Sequence, residues 1–153
     1  DIIQNAIELA HILCLPEPKV AILSAVETVT PKIRSTIEAA ALCKMADRGQ
    51  IKGGLLDGPL AFDNAVSLVA AKTKGIKSLV AGNADILVVP DLESGNMVAK
   101  QLEYLANALM AGVVLGARVP IVLTSRADTA ETRTASCAVV QLMAHRKREA
   151  LAR

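Results

Sequence analysis

The chain has 153 residues, of which 52% are hydrophobic and 1% are aromatic, with 17 Lys and Arg against 15 Asp and Glu. This composition excludes a disordered or fibrous chain and predicts one domain, or part of a larger one, with a core of Val, Ile, Leu and Ala. The near balance of charge, without a basic stripe or interleaved aromatic residues, argues against nucleic-acid binding.

The chain opens with a predicted helix followed by a predicted strand. Apolar residues recur at helical spacing until LPEP interrupts the pattern, so the helix is expected to end near Leu13. The continuous apolar run 19–25 predicts a parallel strand that is covered on both faces. The inner face of the helix is predicted to consist of Ile3, Ala6, Ile7 and Ala10.

A second helix is predicted over TPKIRSTIEAAALCKMADRG. Thr30 is expected to cap it, Pro31 suits its first position, and Gly49 is well placed to end it. Its apolar stripe is predicted to consist of Ile33, Ile37, Ala40 and Ala41.

The alternation of strands and helices continues to the end of the chain. Further strands are predicted at 53–59, 85–91, 111–116 and 119–125. ESGN is predicted to form a loop before a helix marked by Val98, Leu102 and Leu105. The last helix is predicted from about Asp128. The helix after 53–59 is predicted to bury Phe62, Ala65, Val66, Val69 and Ala70, and the last helix Ala135, Ala138, Val139 and Leu142. This order predicts an α/β fold, a three-layer sandwich with a mainly parallel sheet.

Polar residues lie at the carboxyl ends of three of the predicted strands and in the turns behind them. Ligands of open parallel sheets bind beyond the carboxyl ends of the strands, so these residues are candidates for one cleft. Each also has a structural interpretation, because Asp, Gly, Asn and Ser favour turns, and Asp128 with Glu131 resembles a capping box. The candidates are Asp57 and Gly58, then Asp91, Ser94, Gly95 and Asn96, then Thr124, Ser125 and Arg126.

Arg126 is the candidate with the most specific chemistry. It follows a predicted buried strand and precedes a predicted helix start, where backbone N–H groups already favour an anion. Ser125 adds a neutral donor, so the two side chains are suited to hold phosphate or polarise a carbonyl oxygen. The alternative is that Arg126 forms a surface salt bridge.

Other chemistries find little support in the sequence. The chain has neither a Gly-x-Gly-x-x-Gly motif nor a Walker phosphate loop. His11 and His145 lack the neighbours of a triad or metal site, and the three cysteines, which match no disulfide or zinc pattern, are interpreted as free packing groups. No membrane span is predicted, so we expect a soluble, cytoplasmic protein.

Four segments resemble the phosphate acetyltransferase and phosphate butyryltransferase family: LLDGPLAFDNAVS, ADILVVPDLESGNM, GVVLGARVPIVLTSRADTAETR and ASCAVV. Their details resemble the butyryl branch and the C-terminal part of bifunctional enoyl-CoA hydratase/phosphate acetyltransferases. The resemblance implies an isocitrate/isopropylmalate dehydrogenase-like fold and reversible acyl transfer between coenzyme A and phosphate, without a metal or tightly bound cofactor. Ser125 and Arg126 would be catalytic, and Thr124, Asp57, Gly58, Asp91, Ser94, Asn96 and Asp128 would bind substrate.

Two departures from the family pattern affect these expectations. In acetyl-type members, an Asp that is assigned as the general base stands where this chain has Thr132. Here either Glu131 or Asp128 would act as the base, or the reaction needs none. The chain also lacks a counterpart of the family's N-terminal segment. We therefore expect residues 1–124 to be the second domain of a longer enzyme and 125–153 to return to the first.

Three hypotheses about function remain open. The leading one is a phosphate acyltransferase, as a fragment and with a homodimer as the default assembly. The alternatives are a non-catalytic module that binds coenzyme A or phosphate, and an oligomerisation domain in which Ser125 and Arg126 only cap a helix. The apolar face of the last helix is expected to repack on its own domain or pair with another copy.

Overall fold

The computed structural model describes residues 1–151, which contain six helices and five strands. The helices are α1 (Ile2–Ile12), α2 (Arg34–Asp47), α3 (Phe62–Val66), α4 (Leu68–Thr73), α5 (Leu92–Leu105) and α6 (Ala130–Leu151). The strands are β1 (Lys19–Leu23), β2 (Leu55–Leu60), β3 (Ile86–Val88), β4 (Val113–Val114) and β5 (Ile121–Val122).

The chain forms two compact units. Residues Leu15–Gly95 form one, called here the sheet unit, and Asp1–Cys14 together with the chain from Asn96 onward form the other, called here the hairpin unit. Helix α5 begins in the sheet unit, and its later turns belong to the hairpin unit. The predicted boundary at residue 124 stays a prediction.

The sheet unit contains a parallel sheet with strand order β2-β1-β3. Lys19 lies opposite Leu55 on one side of β1, and Val20 lies opposite Ile86 on the other. Since β1 is central, the chain passes first to one side of it through α2 and then to the other through α3 and α4. The predicted α/β fold with a parallel sheet is confirmed.

Both faces of β1 are buried, as the continuous apolar run predicts. Ala21 and Leu23 belong to a core cluster that includes residues of α3 and α4. Val20 and Ile22 point to the opposite face, because side chains alternate along a strand, and they are also buried. Helix α2 contacts β1 and β2. The sheet is therefore a middle layer between helices.

Helix α2 differs from its prediction in where it begins and in what it buries. It starts at Arg34, four residues after the expected cap Thr30. The buried residues are Thr36 and Ala39, whereas Ile37 is 43% exposed. The predicted stripe of Ile33, Ile37, Ala40 and Ala41 is therefore wrong, because Ile33 precedes the helix and the face that packs inward is that of Thr36 and Ala39. Gly49 follows the helix with φ of 70°, as predicted for a terminating glycine.

The hydroxyl of Thr36 holds the turn that precedes α2. It accepts a hydrogen bond from the N–H of Thr30 at 2.9 Å and lies within bonding distance of the carbonyl oxygens of Thr30 and Ile33. We expect Thr36→Val to lower the free energy of unfolding by about 1–3 kcal/mol, because it leaves the partly buried N–H of Thr30 without its partner. Urea unfolding measures this cost. Thr73→Val, at an exposed hydroxyl in α4, is the control, and equal losses in both variants would contradict the expectation.

The single helix predicted after β2 is divided into α3 and α4. Ser67 separates them with an extended backbone, and its side chain accepts a hydrogen bond from the N–H of Ala70 at 3.3 Å, which caps α4. The break changes which residues face inward. Ala65 is buried as predicted, but Val69 is 75% exposed and Phe62 and Val66 are also exposed, so the predicted stripe is largely wrong.

The predicted ESGN loop is also wrong, because these residues lie within α5. Asp91 accepts a hydrogen bond from the N–H of Ser94 at 2.7 Å, which starts the helix earlier than the glycine suggests. A Cβ at Gly95 would lie 2.8 Å from the Val89 side chain. Gly95 therefore serves close packing, not a loop.

The hairpin unit contains the antiparallel pair β4 and β5, with Val113 opposite Val122. Helix α6 contacts both strands and α1. Helix α1 buries Ile3, Ile7 and Ala10, as predicted. The inner face of α6 differs from its prediction, since Ala138 and Leu142 are exposed whereas Thr132 and Ser136 are buried.

All three cysteines are free, as predicted. Cys14 and Cys137 are exposed, so the expectation that they pack in the core is wrong. Cys43 is half-buried, with its Sγ 3.6 Å from the carbonyl oxygen of Gly58, and burial raises the pKa of its thiol to about 11.

Within residues 1–151, no helix combines the length and the apolar character that crossing a bilayer requires.

Candidate functional site

Ser125 and Arg126 lie in a tight turn between β5 and α6. The carboxylate of Asp128 accepts a hydrogen bond from the N–H of Ser125 at 2.6 Å, and the N–H of Asp128 bonds back to the Ser125 carbonyl at 3.2 Å. The helix cap is Thr129, whose Oγ1 accepts from the N–H of Thr132 at 3.1 Å. The predicted capping box of Asp128 and Glu131 is therefore wrong, and Asp128 instead shapes the turn that presents Arg126.

The turn rests on a close contact between the two strands of the hairpin unit. The N–H of Leu123 donates to the carbonyl oxygen of Gly112 at 3.0 Å, and a Cβ at Gly112 would overlap the carbonyl oxygen of Leu123. The buried Ser136 hydroxyl joins α6 to this contact, since it accepts from the N–H of Gly112 at 2.9 Å and donates to the Thr132 carbonyl at 2.8 Å. The residues preceding Ser125 are thus held by backbone contacts.

The side chain of Arg126 is available to a ligand. It is exposed, and across residues 1–151 its guanidinium forms no hydrogen bond or ion pair. The Ser125 hydroxyl has one weak contact, a 3.5 Å bond from the N–H of Ala127. The side chains of Thr124 and Glu131 are exposed as well. A permanent cation beside a hydroxyl, at the start of a long helix, is suited to binding an anion.

Thr132 is directed inward, away from solvent. It is 5% exposed, and its hydroxyl lies 3.2 Å from that of Thr129. The resemblance described in the sequence analysis implies an Asp at this position in acetyl-type proteins. Its contacts give it a packing and capping role, which leaves Glu131 as the exposed carboxylate of this turn.

In the sheet unit, Asp57 and Gly58 lie in β2, and their contacts are local. The Asp57 carboxylate accepts from the N–H of Gly58 at 2.8 Å. A Cβ at Gly58 would lie 2.7 Å from the carbonyl oxygen of Ile22 in the neighbouring strand. Glycine is therefore required here by the close approach of β1, and the substrate-binding role of both residues stays a prediction.

Asp91 and Ser94 form the cap of α5 described above. The pKa of Asp91 is lowered because the backbone N–H of Ser94 donates to its carboxylate, with a smaller contribution from the Ser94 side chain. Asn96 is exposed on the following turn of the same helix. The contacts of Asp91 and Ser94 support the structural interpretation, and a substrate-binding role for these three residues stays a prediction.

The carboxyl end of β1 is a further candidate position that local sequence pattern did not reveal. The chain passes from β1 to β2 on one side and later crosses back to β3 on the other side, so the strand order reverses at β1, and the gap between β1 and β3 is where ligands of such sheets bind. An open depression of about 470 Å³ lies there, lined by Arg34, Ser35, Glu38, Pro90 and Asp91. The polar segment SAVETVT, which follows β1, was the signal that could have indicated it.

A cluster of polar side chains links the segment after β1 to α3 and α4. Lys74 Nζ lies 3.2 Å from Glu27 Oε2 and 3.1 Å from the Asp63 carboxylate. The Asn64 Nδ2 donates to the same Glu27 oxygen at 3.1 Å. Asn64 is fully buried, and its Oδ1 has no hydrogen-bond partner in the described part of the chain. We call these four residues the Lys74 cluster.

The Lys74 cluster predicts a pH-dependent contribution to stability. The pKa of Glu27 lies below its ordinary value of 4.5 because its own backbone N–H and then Lys74 donate to the carboxylate. Since the folded-state pKa is lowered, the contribution is present above pH 4.5 and is lost as the pH falls through the lowered value.

We therefore expect Glu27→Gln to be less stable than the wild-type chain at pH 7 by about 1 kcal/mol or less, because the pair is partly exposed. The difference should disappear near pH 3. Urea unfolding at the two pH values measures it. A difference that persists unchanged at low pH would contradict an ionic origin.

A second cavity contains none of the predicted site residues. It has a volume of about 570 Å³ and lies in the hairpin unit, between α1, α6 and the 115–120 loop. This loop joins β4 to β5 at one end of the hairpin, whereas Ser125 follows the other end. The cavity is therefore separate from the Ser125 and Arg126 turn.

No cluster of three or more potential metal ligands occurs in residues 1–151.

Comparisons with known proteins identify the family. The family described as "Phosphate acetyl/butaryl transferase" matches residues 1–141. A phosphate acetyltransferase of Rhizobium meliloti is 70% identical over 98% of this chain and 48% of its own length. A probable phosphate butyryltransferase of Bacillus subtilis is 56% identical over 90% of this chain and 46% of its own.

Solved structures agree with this result. A branched-chain phosphotransacylase from Enterococcus faecalis matches with a TM-score of 0.84 and 37% identity, over 94% of this chain and 51% of that one. A phosphotransacetylase from Streptococcus pyogenes matches with a TM-score of 0.75 and 29% identity, over 95% of this chain and 44% of that one. The chain spans about half the length of the curated relatives that it matches. By sequence and by fold, the chain belongs to the phosphate acetyltransferase and phosphate butyryltransferase family.

Proposed function

We propose that the protein carrying this chain transfers an acyl group reversibly between coenzyme A and inorganic phosphate. A phosphate oxygen attacks the thioester carbonyl carbon, a C–O bond forms, the C–S bond breaks, and the thiolate of coenzyme A takes up a proton. The observation that carries the proposal is the free guanidinium of Arg126 beside the Ser125 hydroxyl, in a family named for this reaction.

Each residue of the turn has a distinct role in this reaction. Arg126 neutralises phosphate and the acyl phosphate product, since a guanidinium matches their oxygens in charge and geometry. The Ser125 hydroxyl donates to the thioester oxygen as negative charge develops there. Glu131 is the exposed carboxylate that could accept a proton. Phosphate is already largely ionised near neutral pH, so this last role is the smallest.

The other predicted residues are proposed to bind substrate. Thr124 and Asp128 belong to the turn of Ser125, Asp57 and Gly58 lie within β2, and Asp91, Ser94 and Asn96 follow β3. Coenzyme A and phosphate act as substrates, and the protein holds no tightly bound cofactor. The enzyme works in the cytoplasm as a homodimer, for which the exposed Leu142 on α6 is one supporting observation.

The test is thiol release from acetyl-CoA and butyryl-CoA with and without phosphate, in this chain and in the longer protein that carries it. We expect phosphate-dependent release by the longer protein. Ligand-induced stabilisation by coenzyme A without release in either form would favour a binding module. No release and no stabilisation would exclude both functions.

A further inference from the structure

Residues 24–33 connect β1 to α2 at the carboxyl edge of the sheet. β1 is the central strand, so its carboxyl end lies between those of β2 and β3. Asp57 and Gly58 lie within the second half of β2, and Asp91 follows β3. The segment therefore lies between two groups of proposed substrate-binding residues. Substrate at this edge of the sheet would meet it directly.

Two contacts hold the beginning of this segment. The N–H of Ser24 donates to the Leu60 carbonyl at 2.8 Å, and the Ser24 hydroxyl lies 2.8 Å from that of Ser35 in α2. The turn near its end is held by Thr36, as described above. Between these points, Glu27 is the residue whose side chain bonds to other elements, namely to α3 through Asn64 and to Lys74, which follows α4.

The Lys74 cluster is more than a surface ion pair. The side chains of Glu27 and Lys74 are each 32% exposed, so solvent screens this pair less than it screens the exposed pairs of α2, Arg34 with Glu38 and Lys44 with Asp47. Lys74 contacts two carboxylates at once, and the fully buried Asn64 donates to one of them. Asp63 and Asn64 lie in α3, Lys74 follows α4, and Glu27 lies in the segment after β1, so the cluster joins separate elements.

We propose that Lys74 and Asn64 are positioning residues for acyl transfer, which hold residues 24–33 at the substrate edge of the sheet through the Glu27 carboxylate. This inference rests on the proposed function. Loss of the Lys74 charge would release the middle of the segment while the contacts of Ser24 and Thr36 keep its ends in place. The effect should therefore fall on substrate binding and not on the chemical step, which depends on the turn of Ser125 and Arg126.

The test is steady-state kinetics of phosphate-dependent thiol release in the complete protein. We expect Lys74→Met to raise the KM for acyl-CoA by about 5-fold with kcat within about 2-fold, the range expected for loss of a partly exposed charged contact that does not touch the reacting atoms. Lys74→Arg should have the same KM as the wild type, since it keeps the positive charge. Glu27→Gln should reproduce the effect of Lys74→Met, and the double variant should be no worse than either alone.

A matched control separates positioning from general stability. Lys44→Met breaks the 2.7 Å pair between Lys44 and Asp47 on α2, which is exposed and does not touch residues 24–33. Its KM should be unchanged. An active wild type with unchanged KM in both Lys74→Met and Glu27→Gln would overturn this inference alone, as would an equal change in Lys44→Met. Absence of thiol release in the wild type would overturn the proposed function and this inference with it.

Discussion

Replacement of Arg126 by Ala is expected to lower kcat/KM for phosphate-dependent thiol release by about 100- to 1,000-fold, the range found when one preorganised electrostatic contact to a transition state is removed. The guanidinium of Arg126 has no internal partner within residues 1–151, so its loss leaves no buried group unsatisfied. Stability should therefore remain within about 0.5 kcal/mol of the wild type. The measurement is the initial rate of thiol release in the complete protein, with thermal unfolding alongside.

Arg148→Ala is the matched control, because it removes an exposed arginine from the far end of α6. It should leave the rate unchanged. Arg126→Lys separates the two properties of the side chain, since lysine keeps the charge but cannot form two parallel bonds to phosphate. Arg126→Ala with wild-type kinetics and lowered stability would show that the residue serves the helix and not a ligand.

Replacement of Gly112 by Ala is expected to destabilise the protein by about 3 kcal/mol, the upper range for an inserted methyl group in a packed site. The added Cβ would overlap the carbonyl oxygen of Leu123, so the two strands of the hairpin must separate. The same movement breaks the contact between Ser136 and the Gly112 N–H. Since Ser125 follows two residues after Leu123, we expect activity to fall as well. Urea unfolding and thiol release measure the two effects.

Gly75→Ala separates steric overlap from backbone strain. Gly75 has φ of 68°, but a Cβ there would meet nothing within 4 Å. It should cost about 1 kcal/mol through the left-handed backbone alone. A loss at Gly112 no larger than the loss at Gly75 would show that the hairpin adjusts without strain.

The sequence was sufficient to predict most elements of the fold, because apolar runs and helical spacing report local burial directly. β1 and α1 illustrate this. Both faces of β1 are buried, as predicted, and so are Ile3, Ile7 and Ala10 on the predicted face of α1. The errors arose where a side-chain hydrogen bond changes where a helix begins. Ser67 starts a new helix inside a predicted one, and Asp91 starts α5 ahead of its glycine. A break such as the one at Ser67 changes the direction in which the residues behind it face, and a cap such as Asp91 extends a helix over residues predicted to form a loop.

The candidate site was harder to predict, because turn-forming residues and ligand-binding residues are of the same types. Contacts now give structural roles to Asp57, Asp91 and Asp128, each of which accepts a bond from a nearby backbone N–H. Arg126 stands out because its guanidinium makes no contact of this kind within residues 1–151. The Lys74 cluster could not be found from local pattern, since Glu27 and Lys74 are 47 residues apart. Only the folded chain brings them together.

The central position of β1 also determines when this strand can be completed during synthesis. Synthesis proceeds from the N-terminus to the C-terminus. The N–H of Lys19, at the start of β1, donates to the carboxylate of Asp85, which lies just before β3 and is made 66 residues later. Until β3 has left the ribosome, the apolar residues of β1 have at most one neighbouring strand, so they remain open to water and to other chains. Long-range parallel pairing of this kind is slow and leaves unpaired edges exposed. The nascent chain is therefore a better substrate for chaperones before Val88 emerges than after it.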